Sequence, residues 1–176
     1  MMKRIVPFIP LIALALIVVI AAALLLRGGG EPATITAGEV GRPAPTYALA
    51  RLAGGTLIRD TDTRGRVHII NMFASWCVPC RAEHPQLMAL RAQGVEIIGI
   101  AYKDQPSEAR DFLDELGNPF RTVGLDPDGR FGLQLGVAGV PETFVVSADG
   151  RIRAVHRGPL TPEIVGREIL PALRAR

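Results

Sequence analysis

The chain has 176 residues, enough for one globular domain with a short appendage, and carries a formal net charge of +3 from 20 basic and 17 acidic residues. No run of five or six like charges occurs, so the basic excess reads as solvated surface and not as a nucleic-acid footprint. Two cysteines three positions apart are too few for a disulfide scaffold or a four-ligand zinc site, and they suit a redox pair that needs no metal and no cofactor.

Residues 5–26 form an apolar run without charge. A helix over this run is roughly 33 Å long, enough to cross a hydrocarbon core of about 30 Å. Pro7 and Pro10 fall near its start, where a missing backbone donor costs least. Lys3 and Arg4 precede it, so residues 1–4 are expected in the cytoplasm and everything after Arg27 outside the inner membrane, in the periplasm. A cleavable signal peptide is the competing reading. The run exceeds the usual apolar region of about 7–15 residues, whereas the small residues Ala21, Ala22 and Ala23 keep cleavage open. Either reading exports the domain.

Residues 27–40 are Gly-rich and polar at their start and read as a tether. The folded domain is expected over 41–176. Residues 47–52 and 56–60 flank Gly54-Gly55 as a hairpin. Residues 67–74 are a nearly continuous apolar run, as in a strand covered on both faces. A helix should start at the cysteines and stop before Gly94, with Pro85 kinking it. Then follow a strand at 95–102, a helix at 106–116, a short strand at 122–125 and a short helix at 129–135. A hairpin at 143–147 and 152–156 turns on Asp149-Gly150, and a closing helix at 161–173 has Thr161 as N-cap. This order predicts an α/β fold with a mixed sheet flanked by helices.

The segment Trp76-Cys77-Val78-Pro79-Cys80 sits where a buried strand hands over to a helix. Cys77 at the helix N-terminus would have its thiolate favoured by free N–H groups and the macrodipole. Cys80, nearly one turn on, is close enough to resolve a mixed disulfide. Trp76 offers an apolar surface to a partner. An inert surface disulfide and metal binding with His84 are the bland readings, and the second lacks a fourth ligand.

The stretch Asn71-Met-Phe-Ala-Ser-Trp-Cys-Val-Pro-Cys-Arg-Ala-Glu-His-Pro85 resembles the thioredoxin-like CcmG or DsbE proteins of cytochrome c maturation. The likeness extends through Gly99-Ile-Ala-Tyr-Lys-Asp104, Leu116-Gly-Asn-Pro119 and Leu135-Gly-Val-Ala-Gly-Val-Pro-Glu-Thr-Phe144, and the N-terminal anchor matches too. It implies a thioredoxin-like fold and a reductant working in an oxidising compartment. The implied clients are apocytochrome c or a partner thiol protein, with electrons from a DsbD or CcdA-type membrane reductant. Residue by residue it implies Cys77 as nucleophile, Cys80 as resolving thiol and Pro141 as a cis proline that presents the backbone of Val140 to an extended substrate strand. Glu83 and Glu142 match acidic residues that can relay a proton near the sulfurs. Asn71 stands where ordinary thioredoxins carry a buried Asp. Trp76, Val140 and Tyr102 are candidate substrate contacts, with Lys103 and Asp104 beside the same groove. His84 is expected to be solvated, and His68 and His156 to be structural.

Two rivals remain open at the level of sequence. One is a general exported thiol oxidoreductase of the TlpA or ResA type. The other is a binding module for cytochrome assembly partners, with structural cysteines.

Overall fold

The computed structural model describes residues 15–20, 23 and 38–175. Residues 15–20 are helical; most of the run read as an anchor, 5–26, lies outside the described residues, and no helix among the described residues is long and apolar enough to cross a membrane. Thr36–Arg176 forms one compact unit.

In that unit the strands are β1 (Ala48–Arg51), β2 (Ile58–Arg59), β3 (His68–Phe73), β4 (Ile97–Tyr102), β5 (Thr122–Asp126), β6 (Glu142–Val146) and β7 (Ile152–Arg157). The helices are α1 (Val78–Ala92), α2 (Pro106–Leu116), α3 (Arg130–Leu135) and α4. The last is built from Pro162–Ile164, a π-type stretch Val165–Ile169 and Leu170–Arg174. Pro171 inside α4 cannot donate to Arg167, and the ladder widens just before it. Pro85 lies inside α1 without ending it.

The sheet runs β2-β1-β5-β4-β3-β6-β7, with β3, β4 and β5 parallel and the other pairings antiparallel. This is the mixed sheet expected. The hairpin at its edge is shorter than expected: only Ile58 and Arg59 pair, and the chain then turns through a 3-10 segment, Asp60–Thr63. There the Asp62 carboxylate accepts the Arg59 N–H at 3.0 Å, and that local bond outcompetes the ladder.

Every residue of β3 is buried. Alternate side chains therefore enter two cores. Ile69 and Phe73 face a cluster with Leu87 and Leu90 of α1, Phe112 of α2 and Ile169 of α4. Ile70 and Met72 face the other, with Phe131 and Leu135 of α3. Both cysteines belong to the first cluster.

Candidate active site

β3 delivers the chain to Cys77, the N-cap of α1, in an extended conformation with φ −89° and ψ 104°. The Cys80 N–H, free because it lies in the first turn, donates to Cys77 Sγ at 3.1 Å. The two sulfurs are joined in a disulfide, 2.08 Å apart. In this state neither sulfur is a free thiolate that could join His84 as a metal ligand. His84 in any case is turned away, with Nε2 on the Gly117 carbonyl at 2.9 Å and its ring edge-on to Phe112.

The helix start is where the sequence placed it, but the leading sulfur is less accessible than expected. Cys77 is 4% exposed and Cys80 2%, whereas Trp76 and Val78 stand out at 58% and 78%. In the oxidised state the pair thus lies in an apolar rim. Trp76 is fixed by its indole N–H on the Lys103 carbonyl at 3.2 Å. Lys103 has a positive φ of 49°, and the next residue, Asp104, is buried. The Asp104 carboxylate accepts Ser75 N–H at 2.6 Å, the Ser75 hydroxyl at 2.7 Å and Gln105 N–H at 2.9 Å. The loop after β4 is thereby bound to the turn leading into the cysteines.

Glu83 follows Cys80 by three residues, on the same buried face of α1 as Leu87 and Leu90. It is fully buried and not on the solvated helix face. Asn71 Nδ2 donates to its Oε1 at 2.8 Å and Leu160 N–H to its Oε2 at 2.9 Å. Burial pushes its pKa up to about 7, and the two donors only partly offset this. A carboxyl that changes charge near neutral pH can hold or release a proton beside the pair.

Glu142 is buried too, but on the other face of the sheet. Its neighbour Thr143 accepts from Asn71 Nδ2 at 3.1 Å, so strand alternation turns Glu142 toward the far core. There its Oε1 accepts the N–H groups of Ala138 and Gly139 at 2.8 and 3.1 Å and lies 3.3 Å from Arg157 Nε. Desolvation raises its pKa, against the pull of those donors and of Arg157. It braces the loop before Pro141 and does not meet Glu83.

The Val140–Pro141 bond is cis, and Pro141 is buried beside half-buried Val140. Val140 precedes the β3–β6 ladder, which opens at Glu142 opposite Met72. Tyr102 ends β4, but its ring packs in the far core against Gly132, where any Cβ would clash with it. The structure therefore gathers Trp76, Cys77, Cys80 and Glu83 on one face, and sends Tyr102 and Glu142 to the other. His84, expected to be solvated, is buried because α2 and the loop after it cover that side of α1. His68 is buried as a structural residue, bonded to Thr63 at 3.3 Å and the Arg66 carbonyl at 3.0 Å, and burial holds its pKa below the usual value. His156 pairs with Glu168 at 3.1 Å. Sequence reasoning missed Thr143 and the Leu160 N–H as partners in the Glu83 network, and Glu39 and Arg157 around Glu142. No local motif marks contacts between such distant residues.

A redox-active cysteine pair at a helix start, set on a mixed sheet of thioredoxin-like form, defines a thiol–disulfide oxidoreductase. Known proteins agree. Residues 39–169 match the Redoxin family. The chain is 43% identical over 144 residues to the thiol:disulfide interchange protein HelX of Rhodobacter capsulatus, covering 81% of this chain and 82% of that one. It is 41% identical over 174 residues to the thiol:disulfide interchange protein DsbE of Escherichia coli strain K12, covering 97% and 94%. Its fold is similar to the crystal structure of a secreted thiol-disulfide isomerase from Corynebacterium glutamicum, with a TM-score of 0.66 at 26% identity over 75% of this chain and 86% of that one. The chain belongs to the CcmG/DsbE family of thiol:disulfide interchange proteins.

Proposed function

We propose that this protein is an exported, membrane-tethered reductant of cytochrome c maturation. It keeps the haem-attachment cysteines of apocytochrome c reduced, directly or through a partner thiol protein. A DsbD or CcdA-type membrane reductant returns it to the dithiol. The N-terminus is cytoplasmic, the apolar run 5–26 is a single-pass anchor in the inner membrane, the stretch between it and Glu39 is a tether, and the domain that follows is periplasmic.

The cycle moves two electrons. Cys77 thiolate attacks one sulfur of the client disulfide, forming a mixed disulfide and releasing the first client thiolate. Cys80 gives up its proton, attacks Cys77 Sγ and releases the second client thiolate. The client is reduced, and Cys77–Cys80 is oxidised. Trp76 and the backbone of Val140 hold the client segment, next to Pro141. Glu83, half-ionised near neutral pH, takes the Cys80 proton.

The observation that carries this reading is the buried Glu83 carboxyl one helical step beyond Cys80. Its charge opposes a nearby thiolate and so favours the protonated dithiol's electron-giving direction over oxidation of clients. The potential should lie nearer the roughly −270 mV of thioredoxin than the roughly −120 mV of a dedicated oxidase. A Cys80→Ser variant tests the function in cells. It should accumulate mixed disulfides through Cys77 with apocytochrome c or a partner thiol protein. Captured partners unrelated to c-type cytochromes would remove the maturation reading. Recovery of the protein from soluble extract instead of membranes would remove the anchor.

A further inference from the structure

We propose that Glu39 and Arg157 are positioning residues for client binding, joining the entry segment of the domain to the loop that presents Val140. This rests on Val140 being the client's strand partner, as proposed above.

Arg157 ends β7 directly opposite Glu142 of β6. Its Nη2 lies 2.9 and 3.1 Å from the two Glu39 oxygens and 3.2 Å from the Gly136 carbonyl. Its Nε faces Glu142 Oε1 at 3.3 Å. That same oxygen accepts the Ala138 and Gly139 N–H groups, immediately before Val140. One run of polar contacts thus leads from Glu39 through Arg157 and Glu142 to the backbone of 138–139.

The entry segment is also held just after Glu39. Gly41 N–H donates to Ile152 O at 2.7 Å and Ile152 N–H to Arg42 O at 2.9 Å, which sews it onto β7. The Glu39 carboxylate occupies the space beside Gly136 that a side chain would fill, and Gly136 has a φ of 87°. Glu39 and Glu142 are both buried. Buried ion clusters contribute little net stability compared with apolar packing, but they hold one geometry. Here the geometry held is the loop 136–140. Without Glu39, the Arg157 guanidinium loses the two contacts that fix its Nη2, so the partner that positions Glu142 beneath the two amides before Val140 is no longer held in place. Pairing with a client backbone weakens, whereas collision chemistry at the sulfur does not depend on it.

The test uses the full chain in its reduced form, with two disulfides as probes. One is an extended disulfide-bonded peptide, which can pair with Val140. The other is DTNB, a small aromatic disulfide with no backbone to pair. In Glu39→Gln and Glu39→Ala the ratio of the peptide to the DTNB rate constant should fall about tenfold, as a misplaced binding segment does. Glu39→Asp should lie between them and the parent protein. If the alanine variant does not fold, Arg157→Lys, which keeps the charge but loses the fork, reads the same ratio. A ratio equal to that of the parent protein, with only a lower Tm, overturns the proposal and makes the cluster structural. A parent protein that reduces neither probe overturns the exchange reading itself.

Discussion

Asn71 donates its side-chain amide to Glu83 Oε1 at 2.8 Å, linking the central strand to the helix that carries the cysteines. The same nitrogen donates to Thr143 Oγ1. An amide here, where a thioredoxin has a carboxylate, leaves Glu83 as the acid of the buried network.

Its titration should be visible in stability. Burial raises the Glu83 pKa from 4.5 to about 7 in the folded protein. Between these values the folded state keeps a proton that the unfolded state has lost. The associated stability is therefore fully present below pH 4.5 and is lost as pH rises through about 7. The change is on the order of 3 kcal/mol. Urea denaturation of the parent protein and Glu83→Gln between pH 4.5 and 8 should give diverging curves, and the difference between them isolates Glu83 because His68 and Glu142 contribute equally to both. Parallel curves would contradict the burial argument.

Asn71→Asp sharpens the same point. It sets a second carboxylate at hydrogen-bond distance from Glu83, and two such groups cannot both ionise there without strong repulsion. The pair should keep one proton to a pH above that at which Glu83 alone loses it. The variant should lose more stability than the parent between pH 5 and 8, read from Tm across that range. A pH dependence no steeper than the parent's would show that the introduced carboxylate turns elsewhere.

The strands and helices were legible because their cause is local. Residues 67–74 and 95–102 are largely apolar runs, interrupted only by His68, Asn71 and Glu96, and β3 and β4 are buried along nearly their whole length. The cysteines stand at the handover from strand to helix, which composition and capping both mark. Faces were not legible. Glu83 and Glu142 look alike in sequence, and only the register that sets Asn71 opposite Thr143 sends them to opposite sides of the sheet. Tyr102 fails for the same reason, one residue out of phase with Ala101, which faces the cysteine side. Glu39 and Arg157 are 118 positions apart, beyond any local periodicity.

Asp104 should matter more than an acidic residue in a loop usually does. Asp104→Ala leaves two backbone N–H groups and the Ser75 hydroxyl without their acceptor, a cost of about 3 kcal/mol. Ser75 adjoins Trp76, the single tryptophan, so its fluorescence reports this site alone. The variant should show a lower Tm and a red-shifted emission, with a smaller change on reduction by dithiothreitol. Asp104→Asn, which keeps one acceptor oxygen, should recover part of both. A variant with the parent's Tm and emission would mean that Asp104 does not hold the turn.

Gly99 tests how the core transmits a fault toward the disulfide. It lies mid-sheet between Asn71 and Val123, and a Cβ there would meet the Phe120 ring at 2.6 Å. Phe120 stacks on Phe73 at 4.8 Å, and Phe73 lies in the core that contains both cysteines. The ring cannot retreat without displacing Phe73, so Gly99→Ala should cost about 2 kcal/mol by overpacking. Phe120→Leu alone should also destabilise, by leaving a void. Together they should be less harmful than the sum of the two, by about 1 kcal/mol, because the smaller side chain makes room for the added methyl. Chemical denaturation of the four proteins in the oxidised state closes the cycle. Additive effects would show that the strand shifts to accept the methyl and that the aromatic stack is not what excludes a side chain at Gly99.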